Sequence, residues 1–194
     1  MSSNKLAELI SEIIGPHLWM PILLLLLVFC TGLSLEQLKI LLPSLAILLL
    51  VIPFTYLHVA LRLGWVSKWD LPKKEERRPI MLIFFFCSLI SLVLAKKFGS
   101  DLFFDLFSLI LTTGFITSLI TLFWKISIHM VLDTTGVLVA NFLLGWQFWP
   151  LFLLIPVVAW ARLKLKRHTP AQITAGIILS AGIFVAGIKY FGYL

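Results

Sequence analysis

Long apolar runs fill this chain, and its polar residues collect in a few short blocks between them. A bilayer-spanning helix needs about 20 apolar residues, in a range of about 17–25. Seven runs approach that length: 16–35, 39–63, 79–95, 102–124, 128–145, 148–163 and 171–192. The sixth is short and lies between GWQFWP and a basic run, so the fifth and sixth are expected to form a tight hairpin. In lipid every backbone N–H and C=O must find its partner within the segment, which selects helices. The expectation is an all-α, polytopic integral membrane bundle of about six to seven transmembrane helices, with residues 1–194 as one domain. Ahead of the first run, KLAELISEII carries Leu6, Ile10 and Ile13 at helical spacing. Residues 1–14 read either as a short amphipathic helix on the membrane surface or as a frayed lead-in to the first span. Glu8 and Glu12 beside Lys5, and the lack of a small-residue cleavage site, argue against a signal peptide.

Composition sharpens the picture. Of 194 residues, 60% are hydrophobic and 13% charged, against about 25% charged in a soluble domain. Cys30 and Cys87 sit inside apolar runs, at no metal-ligand spacing, and read as packing residues. The net charge of +7 accompanies no nucleic-acid signature; it suits loops that face anionic headgroups or a phosphate substrate. With seven spans, every Lys and Arg except Lys39, Lys96, Lys97 and Lys189 falls on the side of the N-terminus. The positive-inside rule makes that side cytoplasmic, although cations that bind substrate would bias the same count. Trp19, Trp65, Trp69, Trp124 and Trp160 fall near that interface, and Trp146 and Trp149 near the other.

Three polar blocks interrupt the apolar pattern: KWDLPKKEERRP at 68–79, WKISIHM at 124–130 and ARLKLKRHTPAQ at 161–172. Two spans separate each from the next, and an even number of crossings returns the chain to the same face. The blocks can therefore meet at one membrane surface. Together they supply Arg and Lys side chains with Ser127, His129, Asp133, His168 and Gln172. Convergent cations and helix N-termini suit a phosphate, and Arg presents a planar fork to its oxygens. Two histidines provide a nucleophile and a proton donor. No Asp/Glu cluster stands ready for magnesium, so the assembly reads as phosphoryl transfer without metal or other cofactor.

These blocks resemble the three signature motifs of the type-2 phosphatidic acid phosphatase superfamily of membrane lipid phosphatases. The third motif is Ser-Arg, five residues, His, three residues, Asp; here Arg162, His168 and Gln172 keep the spacing, with Ala161 for Ser and Gln172 for Asp. The second is Pro-Ser-Gly-His; Ser127 and His129 match it, while Ile126 and Ile128 do not. The first is Lys, six residues, Arg-Pro; Arg78 and Pro79 match, but Leu71 stands at the Lys position, with Lys73 and Lys74 close by in another register. The motifs cover about a sixth of the chain. Two apolar segments separate the first two motifs, which share one loop in well-known membrane members, so the resemblance is to a divergent branch. It implies that His168 attacks phosphorus to form a phosphohistidine, and that His129 protonates the leaving oxygen and then activates water. It further implies that Arg78, Arg162 and Ser127 hold phosphate oxygens, helped by Lys73 or Lys74, and that Gln172 orients His168 where the family has a carboxylate. Apart from the resemblance, Lys125, just before the second motif, reads as a further phosphate contact. The substrate would be a lipid-linked phosphate, phosphatidate-like or a polyprenyl phosphate or diphosphate.

Other readings stand beside these. TPAQ is also a helix start, with Thr169 as N-cap, Pro170 at N1 and Gln172 at N3 of a capping box; that role and the orienting role are compatible. The basic run 162–167 also serves as an interfacial flank. Asp133, one turn after His129, reads as a structural partner or as a residue that tunes His129. His58 reads as a packing histidine and His17 as interfacial. The expected activity is hydrolysis of a lipid-linked phosphate, with membrane lipids as the surroundings and no nucleic-acid partner. The alternative is a non-catalytic lipid-phosphate binder or transporter, for which two retained histidines have no use. Prenyl transfer would call for Asp-rich motifs that the chain lacks.

Overall fold

A computed structural model of the chain describes residues 3–68, 71 and 74–194, without the side chain of Lys74. Lys73 and the Lys74 side chain, both assigned to phosphate by the resemblance, lie outside the described residues. The described regular structure is all helical: α1 (Ser3–Ile13), α2 (Pro16–Cys30), α3 (Leu35–Ala46), α4 (Ile52–Arg62), α5 (Lys74–Phe98), α6 (Asp101–Phe123), α7 (Ile128–Leu143), α8 (Leu154–Lys164) and α9 (Pro170–Tyr190). A π-helical turn at Ile47–Val51 joins α3 to α4, and a 3-10 turn at Trp149–Leu153 leads into α8. Five helical stretches are long and apolar enough to cross a membrane: Ser3–Cys30, Leu35–Arg62, Glu75–Phe98, Asp101–Phe123 and Pro170–Tyr190. The protein is a multi-pass helical membrane bundle.

The seven expected spans differ from these at two places. First, the hairpin of α7 and α8 is built from short helices. The 16 residues of α7 reach about 24 Å at 1.5 Å per residue, less than the roughly 30 Å hydrocarbon core. Its environment explains the length: α7 is sheathed by α2, α8 and α9 and is buried almost continuously from Met130 to Asn141. A helix wrapped in protein need not match the bilayer. The hairpin still returns the chain to its starting end, so the parity of the three blocks survives. Second, residues 3–13 are helical rather than frayed. They pack along α8, with Ala7 fully buried and Ser11 Oγ accepting from Arg162 Nη1 at 2.7 Å.

Two backbone features shape the interior. Pro53 follows the π turn and has no N–H to continue the ladder, so the 35–62 rod bends there. The α7–α9 crossing is close because Gly176 leaves room: a Cβ there would sit 3.1 Å from the Ser127 carbonyl oxygen and 3.2 Å from Met130 Cβ. Ser180 Oγ donates to the Val131 carbonyl at 3.0 Å along the same seam.

Candidate functional site

The starts of α2, α5, α7 and α9 and the ends of α4, α6 and α8 lie at one end of the bundle, around a cavity of about 900 Å3. Its polar rim holds Arg77, Lys125, Arg162 and Arg167, the histidines His17, His129 and His168, and Ser11 and Glu12. Below the rim the walls turn apolar, with Leu24 and Leu27 of α2, Leu49 and Leu50 of the π turn, and Phe107 and Ile110 of α6. Residues 17 to 27 of α2 alone descend about 15 Å at 1.5 Å per residue. The cavity is thus cationic at its mouth and oily within.

The third block owes its spacing to two local motifs. At the end of α8, Lys166 N–H donates to the Leu163 carbonyl at 2.9 Å and Arg167 N–H to the Arg162 carbonyl at 3.0 Å. This is the paired bonding of a Schellman turn, with Lys166 in the left-handed region at φ 52. The turn folds Arg167 and His168 back over the helix end that carries Arg162, which is what five intervening residues accomplish. At the start of α9, Gln172 N–H donates to Thr169 Oγ1 at 3.3 Å and Thr169 N–H donates to Gln172 Oε1 at 3.1 Å. The capping box is present, and the orienting role coexists with it: His168 Nδ1 lies 3.2 Å from the same Oε1. Because the cap fixes that atom as the acceptor oxygen, Nδ1 is the donor and the imidazole lone pair resides on Nε2.

The second block joins the third directly. Ser127 N–H donates to the Gln172 carbonyl at 3.3 Å, and Lys125 Nζ donates to the Arg167 carbonyl at 3.1 Å. His129 stands in the first turn of α7 and lines the cavity. Ser127 does not: it is fully buried beneath α9, and its hydroxyl has no hydrogen-bond partner among the described residues. The structure therefore sets Ser127 apart from the rim, against its expected place on a phosphate.

The first block delivers a neighbour of the expected residue. Arg77 is 8% exposed and lines the cavity, with its Nε donating to the Leu71 carbonyl at 2.7 Å. Arg78 lies one residue, about 100°, further round α5 and lines a separate outer groove. Asp133 is fully buried and does not line the cavity, and it lies near Trp19 and Arg162. Arg162 itself is 4% exposed, so its charge is held in the bundle wall with its tip at Ser11.

His17 is the residue that the sequence left outside. A Cβ on Gly15 would sit 3.2 Å from His17 Cε1 and 3.3 Å from His129 Nε2, so the two imidazoles share the space over that glycine. The signal was present as Gly15-Pro16, a bend that ends one helix and starts another, on the chain end that parity already assigned to this face. Among the described residues no three His, Cys, Asp or Glu side chains group as metal ligands. Compared with protein-family models, curated proteins and solved structures, the chain matches none.

Proposed function

We propose that this chain is a membrane phosphatase that hydrolyses a lipid-linked phosphate, phosphatidate-like or polyprenyl, through a phosphohistidine. The observation that carries the reading is the amphipathic cavity: Arg77, Lys125, Arg162 and Arg167 surround histidines at its mouth, and an apolar chamber continues below them. A phosphate needs the first and its lipid tail the second. Two histidines in one anion site suit covalent transfer better than binding alone. His168 Nε2 attacks phosphorus, forming an N–P bond as the P–O bond to the lipid breaks, and His129 gives its proton to the leaving oxygen. His129 then takes a proton from water, which attacks phosphorus, breaks the N–P bond and releases inorganic phosphate. Arg77, Arg162 and Lys125 hold the non-bridging oxygens, where charge builds up. Gln172 fixes the His168 tautomer but, being neutral, stabilises an imidazolium less than a carboxylate would. The active-site end is the more cationic one, cytoplasmic by the positive-inside rule.

The test is phosphate release by the purified protein from phosphatidate and from polyprenyl phosphates and diphosphates, in EDTA, beside His168→Ala. Release that withstands EDTA and disappears in His168→Ala is expected. Lipid phosphate that binds without turnover would instead favour the non-catalytic binder, a reading supported by the burial of Ser127 away from the rim. Release that requires magnesium and survives loss of His168 would refute the mechanism.

A further inference from the structure

A second recess of about 420 Å3 runs between the outer faces of α5 and α6. Arg78 stands at its upper end, and Leu82, Phe85, Phe115 and Leu119 line it with their side chains exposed to the bilayer side. From Arg78 to Ser88 the groove follows ten residues of α5, about 15 Å at 1.5 Å per residue. That is half of a roughly 30 Å hydrocarbon core, the depth of a single leaflet. The groove therefore has a cation at headgroup level and an apolar bed as long as one lipid chain. It also touches the inner cavity, since Met81, Phe84, Leu111 and Ser118 line both. Phe84 lies against Gly114, with its Cε1 3.7 Å from where a Cβ on that glycine would stand. A larger residue at 114 would crowd the ring in this shared wall.

We infer that the α5–α6 groove is a lateral docking site for a phosphate-bearing lipid, which rests its headgroup on Arg78 and a chain along α5 before it passes Phe84 into the cavity. The inference deepens the proposed function by giving the substrate an entry port from the leaflet on the site's side. It assigns the two adjacent arginines different tasks: Arg78 captures at the surface and Arg77 holds within. Charge complementarity selects an anionic headgroup, and the groove's one-leaflet depth selects a lipid of the bilayer over free phosphate.

The port can be read without turnover. The protein is placed in phosphatidylcholine vesicles that contain a trace of phosphatidate with a photoactivatable group in its acyl chain, and cross-linked peptides are mapped. Labels are expected within 81–88 and 111–122, and Arg78→Gln should lower them about fivefold, the effect of one cation at a membrane surface. Leu119→Trp, which fills the groove from the lipid side, should expel the label with Arg78 intact. A phosphatidylcholine probe should show no preference for the groove. Labels spread evenly over the lipid-facing helices, or unchanged in Arg78→Gln, would overturn the inference. Mapping is repeated in His168→Ala. If the unsubstituted protein labels in the groove yet releases no phosphate, the port stands and the phosphatase reading falls; phosphate release without groove labels does the reverse.

Discussion

If Arg162 holds Asp133 ionised, neutralising Asp133 should destabilise the bundle far more than its small change in shape suggests. Asp133 is fully buried, and neither carboxylate oxygen has a hydrogen bond among the described residues. Trp19 Nε1–H faces it from α2 without reaching hydrogen-bond geometry. The positive charge of Arg162 on α8, itself 4% exposed, acts on it. Removing one member of such a pair leaves the other charge buried and uncompensated, at about 3–5 kcal/mol. Removing both is often neutral or stabilising, less about 1 kcal/mol here for the lost Arg162–Ser11 hydrogen bond. Asp133→Asn and Arg162→Met should therefore each lower stability by roughly 3 kcal/mol or more, and the double variant by much less than their sum. The assay is reversible unfolding in mixed micelles, with sodium dodecyl sulfate as denaturant, across all four proteins. A loss below about 0.5 kcal/mol in Asp133→Asn, or additivity within about 0.5 kcal/mol, would refute the pairing. Asp133 would then carry no charge, and Arg162 would be held by Ser11 and the cavity alone.

Two further outcomes follow from local geometry. A Cβ on Gly136 would fall within 3.0 Å of three carbons of the Trp19 indole, so Gly136→Ala should cost about 1–3 kcal/mol by overpacking, and Trp19→Leu should relieve most of it in the same unfolding assay. Gln172→Glu keeps an N3 acceptor for the capping box and gives His168 a carboxylate partner. If His168 is the nucleophile, phosphate release should rise about tenfold, the worth of one pKa unit on the imidazolium, and an unchanged rate would separate Gln172 from the chemistry.

The parts of the site that were legible in the sequence are those made by short-range geometry. The Arg162–His168 interval is a helix end closed by a Schellman turn, and Thr169–Gln172 is a capping box that carries Oε1 to His168; both follow from a dozen contiguous residues. The parity argument was legible for a similar reason, because it needs only that segments pair, and α7 and α8 pair even though α7 is shorter than a bilayer-spanning helix. Helix phase was not legible. Arg77 and Arg78 differ by about 100° of rotation, and nothing in an apolar helix bounded by a polar loop says which one turns inward. The packing of α5 on α6 decides it, by giving one arginine the cavity and the other the groove. Ser127 lies off the cavity because α9 crosses over it at Gly176, a tertiary approach that its own block does not encode.

The same distinction applies to the N-terminal helix. Its apolar face, Leu6, Ile10 and Ile13, carries no mark of whether lipid or protein will cover it, and a membrane chain offers both. Leu6 and Ile13 stay exposed while Ala7 and Ser11 turn inward, and Ser11 accepts a bond from a buried arginine 151 positions away. Once α1 is held on α8 by that bond, the bend at Gly15 places His17 over His129, and the cavity gains a wall that none of the three polar blocks supplies. A buried cation needs a nearby partner, and Arg162 has Ser11 at its tip and the Asp133 carboxyl on the neighbouring α7. Arg162 thus ties α1 to α8 at the cavity mouth, and the bend at Gly15 sets His17 beside His129 there.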